Sequence, residues 1–137
     1  MSLLLVDAEG PLHRDPRKHL IRRDRWNLGF ASDSVVQLMV QAMETWIIAD
    51  PKSLADYYGQ GFAGKALPAP SADLERLDRG KVEHLLQHST RRTAKGEYRK
   101  IRDGSALLAM IDPEVVRGRC PSCKRLFATL EALISQA

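Results

Sequence analysis

Hydrophobic and polar positions follow two different rhythms along this chain, and the switches between them predict its elements. Residues 3–6, Leu-Leu-Leu-Val, form an unbroken apolar run that ends on Asp7, with Glu9 two positions later and then Gly10-Pro11. A short run closed by such a turn predicts a strand covered on both faces. Val35 to Val40 reads as a second strand, and from Gln41 the spacing of Met43, Trp46, Ile47 and Asp50 predicts a helix. Asp-Pro pairs then mark helix starts, with aspartate as cap and proline in the first turn. They predict a short helix after Asp15-Pro16, one from Pro51 closed by Gly59, and one from Pro113. Further helical patterns run over about 80–90, 100–111 and 121–135, the last carrying Leu126, Phe127, Leu130, Leu133 and Ile134. "GQGFAGKALPAPSA" is a connection, and the chain has no internal repeat.

Two strands against five or six helices predict an α/β fold: a small parallel sheet with majority helix, in a single domain over residues 1–137. A strand this close to the N-terminus needs neighbours on both edges. An edge left open would suit a second copy of the chain, so a homodimer paired along that strand is one expectation.

Composition adds a charge argument. The 137 residues are 44% hydrophobic and carry a net charge of +4. Basic residues cluster at Arg14, Arg17, Lys18, Arg22, Arg23 and Arg25, and again at Arg91, Arg92, Lys95, Arg99, Lys100 and Arg102. Clusters of this kind suit a polyanion such as DNA or RNA, and the second group is the candidate phosphate-binding set. Equally, they are ordinary solvated faces, diluted by Asp15, Asp24, Glu97 and Asp103. The opening apolar run is too short for a signal peptide, and nothing approaches a membrane span. Two cysteines do not make a disulfide framework. The chain reads as cytoplasmic, with no membrane partner.

The carboxylates are the candidate chemistry. Strand side chains alternate, so Asp7 and Glu9 are expected on one face at the carboxyl end of a strand, where ligands of α/β sheets gather. One or two carboxylates there suit Mg²⁺, with water and phosphate oxygens completing its shell. The plain alternative is a loop-capping Asp7 and a solvated Glu9. Glu44 is the lone ionisable residue between Val35 and Ala49, flanked by Met43 and Trp46. In such company it needs either a salt bridge or a cation. Asp50 is explained by capping alone. Cys120 and Cys123 have the spacing of half a Zn²⁺ site, which His84 and His88, four apart on a helix, would complete. Without them Cys120 is expected at a helix start, its thiol somewhat acidified. There is no Ser-His-Asp arrangement, phosphate-cradling loop or dinucleotide fingerprint.

Several stretches together, "LLLVDAEGP", "RRDRWNL", "VQLMVQAMETWIIADPKSLADYYGQGF", "RRTAKGEYRKIRDGSALLAMIDPEVVR" and "CPSCKRLFATL", resemble an uncharacterised bacterial family, domain of unknown function four-two-seven-six. The resemblance implies a Toprim-like domain, in which an early glutamate and a later Asp-x-Asp or Asp-x-Glu pair hold magnesium for phosphodiester chemistry. Asp7 and Glu9 stand at that second motif, with Glu44 as a supplement. Members are usually longer, with a βα segment before this strand, so the resemblance implies an incomplete domain, the C-terminal two-thirds of such a protein. Magnesium is then expected to bind weakly and cleavage to need the upstream segment. It also implies a role in phage defence, beside an ABC-type ATPase. Two functions follow: a magnesium-dependent nuclease with Asp7, Glu9 and Glu44 catalytic, or a non-enzymatic protein that binds nucleic acid or the ATPase.

Overall fold

The computed structural model describes residues 3–12, 15–24 and 36–136. Strand β1 (Leu4–Asp7) is followed by helix α1 (Pro16–Asp24) and strand β2 (Val36–Met39). The strands pair in parallel, Leu4 opposite Val36 and Asp7 opposite Met39. Two further bonds carry the pairing past the strand ends: Ala8 N donates to Met39 O at 3.0 Å and Glu9 N to Gln41 O at 2.6 Å. A parallel pair needs a crossover, and α1 lies on it, packed against β2.

Alternation along the strands sorts their side chains into two apolar clusters. Leu4, Val6 and Ala8 join Leu20, Val36, Leu38 and Val40 on the α1 side. Leu3, Leu5 and Met39 face the larger core, built from Trp46, Ile47, Leu54, Leu74, Leu86, Leu107, Val116 and Leu126. All four residues of β2 are buried, whereas those of β1 are only partly so. Among the described residues each strand is strand-paired on one edge alone; the difference comes from the helices, since α1 and the C-terminal helix pack on β2.

The helices follow: α2 (Met43–Ile48), α3 (Pro51–Tyr58), α4 (Arg79–Thr90), a π-helical turn (Lys100–Gly104) running into α5 (Ser105–Met110), then α6 (Pro113–Arg119) and α7 (Pro121–Ser135). The Asp-Pro starts are as the sequence predicts. Asp15 accepts from Lys18 N at 2.9 Å, Asp50 from Ser53 N at 3.4 Å and Asp112 from Glu114 N at 2.9 Å. Asp50 does more than cap. Its Oδ2 also accepts from Ser53 Oγ at 2.6 Å and Asp112 N at 2.8 Å, tying the starts of α3 and α6 together. Burial pushes its carboxyl up, but these donors win and hold it below the usual range. Gly61, at φ 94, is a glycine of necessity, because a Cβ there would collide with the Arg92 carbonyl. Among the described residues no helix is long and apolar enough to cross a membrane.

Candidate functional site

Asp7 closes β1 at the point where α2 begins. Its Oδ1 accepts from Met43 N at 2.9 Å, satisfying a donor of the first helical turn. Its Oδ2 takes the Lys100 ammonium at 3.4 Å, and the same Nζ lies 3.7 Å from Glu44 Oε1. Glu44 sits in the first turn of α2, 5% exposed, and its Oε2 is buried with no hydrogen-bond partner. The two carboxylates therefore share one cation, and one oxygen is left over. Burial pushes the Glu44 carboxyl up; Lys100 opposes that and Asp7 adds to it. Burial works against the Lys100 ammonium, but Glu44 and Asp7 together hold its pKa above the ordinary value. Sequence reasoning expects a salt bridge or a cation at Glu44. The structure supplies a lysine, 93 positions from Asp7.

Glu9 takes a different course. The alternation that predicts a shared face with Asp7 stops where β1 stops, and Glu9 itself has φ 61. Its carboxylate lies 3.6 Å from Arg23 Nη1 and 3.5 Å from Arg79 Nη1 and is half exposed. Arg23 also donates to the carbonyls of Asp7 and Ala8, at 2.6 and 2.8 Å, and His19 Nε2 is 2.8 Å from the Ala8 carbonyl. So α1 clamps the loop after β1, and Glu9 is bound up in that clamp, although its charge still reaches Lys100. Among the described residues no three or more His, Cys, Asp or Glu gather as a metal cage. A metal at this site would rest on Asp7 and Glu44 rather than on the Asp-x-Glu pair.

What holds the turn that carries Lys100 is a further carboxylate, invisible as such in the sequence. Asp103, fully buried, accepts from Tyr57 Oη at 2.9 Å, Tyr58 Oη at 3.1 Å, Arg99 N at 3.0 Å, and Arg102 Nε and Nη2 at 2.9 and 2.8 Å. Burial alone would raise its carboxyl; these donors, Arg102 foremost, hold it well below the usual range. Gly104 completes the turn, since a Cβ there would meet Met43 Cε at 2.8 Å and Tyr98 Oη at 3.2 Å. The Tyr98 hydroxyl is buried without a partner, and burial, then the Glu44 charge, raises its pKa.

The remaining candidates disperse. Arg91 pairs with Glu97 at 3.6 Å, Lys95 Nζ lies 4.9 Å over the Tyr57 ring, and Arg92 and Arg99 are exposed. Of the earlier basic group, Arg14 and Arg25 lie outside the described residues. Cys120 and Cys123 are buried in the large apolar core, while His84 and His88 stack on each other along α4 with ring centroids 6.3 Å apart. Cys120 does stand at the start of α7, though its side chain makes no capping bond, and its thiol is not acidified: burial outweighs the helix start and pushes it up to about 12, and Cys123 to about 11.

Residues 1–131 match the model of the family described as Domain of unknown function (DUF4276), and the chain belongs to that family. No curated protein and no solved structure matches it.

Proposed function

We propose that this family member is a magnesium-dependent phosphodiesterase acting on nucleic acid, within a bacterial phage-defence system, and that Asp7, Glu44 and Lys100 are its reacting cluster. One observation carries the reading: two carboxylates from different elements converge on a single ammonium, and Glu44 Oε2, buried, has nothing to bind. A protein does not ordinarily leave a buried carboxylate oxygen unsatisfied unless the site has a use for it.

The donor set fits a hard cation, which asks for one or two carboxylates and takes its remaining oxygens from water and phosphate. Asp7 and Glu44 would hold it, and bound there it would polarise a phosphoryl oxygen and acidify a water. Lys100, already poised between them, would turn its ammonium toward the phosphate as negative charge builds on it. Glu44 Oε2, buried and without a partner, would accept a hydrogen bond from a water of that shell. Glu9 orders the neighbouring loop through Arg23 and Arg79.

A specific observation also favours the non-enzymatic reading. Lys100 neutralises the pair without any metal, as a purely structural ion pair would. That version is a protein that docks nucleic acid or an ABC-type ATPase. Calorimetric titration with Mg²⁺ and Mn²⁺, alongside cleavage of a labelled oligonucleotide, separates them. Metal binding and cleavage that Asp7→Asn and Glu44→Gln each abolish support the enzyme. Cleavage that survives in the double variant, or metal binding indifferent to both substitutions, sinks it.

A further inference from the structure

The turn that presents Lys100 also presents Ile101, which is 99% exposed. Single exposed apolar residues are common on protein surfaces, and Ile134, 73% exposed in the last turns of α7, is one. Ile101 differs in being held rigidly. On one side of it Arg99 N donates to Asp103, and Asp103 N donates to the Arg99 carbonyl at 2.8 Å. On the other side Arg102 is fixed by both Asp103 oxygens and by the Glu97 carbonyl at 3.1 Å. The segment is a π-helical turn, a rare conformation that recurs at functional positions. A buried carboxylate with five donors thus anchors a tip whose most prominent feature is an isoleucine in water. Its immediate neighbours on the chain, Lys100 and Arg102, are both exposed cations, and Arg99, next to Lys100, is a third.

We propose that Ile101 is an apolar wedge, entering between adjacent bases of a nucleic-acid strand whose phosphates Arg99 and Lys100 grip. The proposal rests on the nucleic-acid reading above and adds how the strand is held. Charge selects the occupant: an apolar tip between two cations suits a polyanion with flat apolar faces between its charges. Aliphatic side chains flanked by basic residues unstack base steps in this way. Because the turn is already ordered, the strand meets a preformed wedge and little ordering entropy is lost on binding. Unstacking next to Lys100 would also hold the backbone near Asp7 and Glu44.

The test uses the full chain and a short oligonucleotide carrying a fluorescent aminopurine, whose emission rises on unstacking. The wild-type protein is expected to bind at low salt with a rise in emission. Ile101→Ala should weaken binding about tenfold, through lost apolar burial, and remove the rise while leaving the salt dependence intact. Arg99→Ala should instead reduce the salt slope by about 0.7–0.9, the contribution of one phosphate contact. Binding and emission unchanged in Ile101→Ala, with Arg99→Ala weakened, overturn the wedge and leave the nucleic-acid reading standing. No binding by the wild type overturns both. Self-association that Ile101→Ser abolishes, with oligonucleotide binding unaltered, overturns the wedge in favour of a second copy of the chain.

Discussion

Glu44 and Asp103 are two buried carboxylates at one π-helical turn, Asp103 within it and Glu44 reached by its first residue, Lys100, and they have been treated in opposite ways. Asp103 receives donors from two tyrosines, one arginine and a backbone amide, and its carboxyl falls well below the ordinary range. Glu44 receives one shared ammonium, keeps an unsatisfied oxygen, and its carboxyl rises. Burial opposes ionisation in both; what differs is how many donors answer it. A fully satisfied charge locks the chain. A half-satisfied one stores a demand that a ligand can meet, which is why Glu44 rather than Asp103 marks the candidate site.

The largest expected effect breaks the satisfied side. Asp103→Ala should strand Arg102 and two tyrosine hydroxyls, costing about 3–5 kcal/mol in urea unfolding. Because the folded carboxyl is depressed, its contribution is present above the ordinary carboxylate pKa of 3.8 and is lost as pH falls through the folded value. The variant should therefore lose less on acidification than the wild type. A substitution that costs nothing would mean the five donors are incidental.

Lys100→Met acts on the other side. It leaves Asp7 and Glu44 facing each other without a cation, but Lys100 is more than half exposed, so solvent screening limits the loss to about 1 kcal/mol at neutral pH. That loss should shrink as pH drops and Glu44, its carboxyl raised, protonates. It should also fade as pH climbs through the raised lysine pKa, since a raised base stabilises only while it is protonated. A pH-independent loss would point to packing of the lysine stem instead.

Glu44→Gln should have the smallest effect on stability and the opposite sign. A folded carboxyl raised above 4.5 favours the protonated form, so the wild type loses stability as pH rises through the folded pKa. The amide lacks that loss, so the variant should be level with the wild type in acid and more stable by up to about 1 kcal/mol at neutral pH. Equal stability at all pH values would mean Glu44 is better satisfied than its geometry indicates.

Much of the frame was legible along the chain. Aspartate before proline is a local device, and three helix starts follow from it. The apolar run before Asp7 and the residues Val36–Met39 of the second stretch became a parallel pair, because short, dominantly apolar runs of this length favour a strand with both faces covered. Glu44 stood out from its surroundings for the same reason: a charge among apolar neighbours is visible without any fold. Its partner was not visible. Neither was the role of Asp103, which looks in sequence like one more acid diluting a basic run.

Local patterning along the sequence thus determined the elements, several of their starts and the demand of Glu44 for a partner, since propensity, capping and periodicity act over a few residues. Only the tertiary structure decided that Asp7 shares a cation with Glu44, through Lys100, rather than a face with Glu9. It also decided that Glu9 turns to Arg23 and Arg79, and that burial overrides the helix start at Cys120. Those outcomes depend on charges brought together across as many as 93 positions and on the loss of solvent around them. Both are properties of the packed chain, because Coulomb energy and desolvation depend on distance in space and not on distance in sequence.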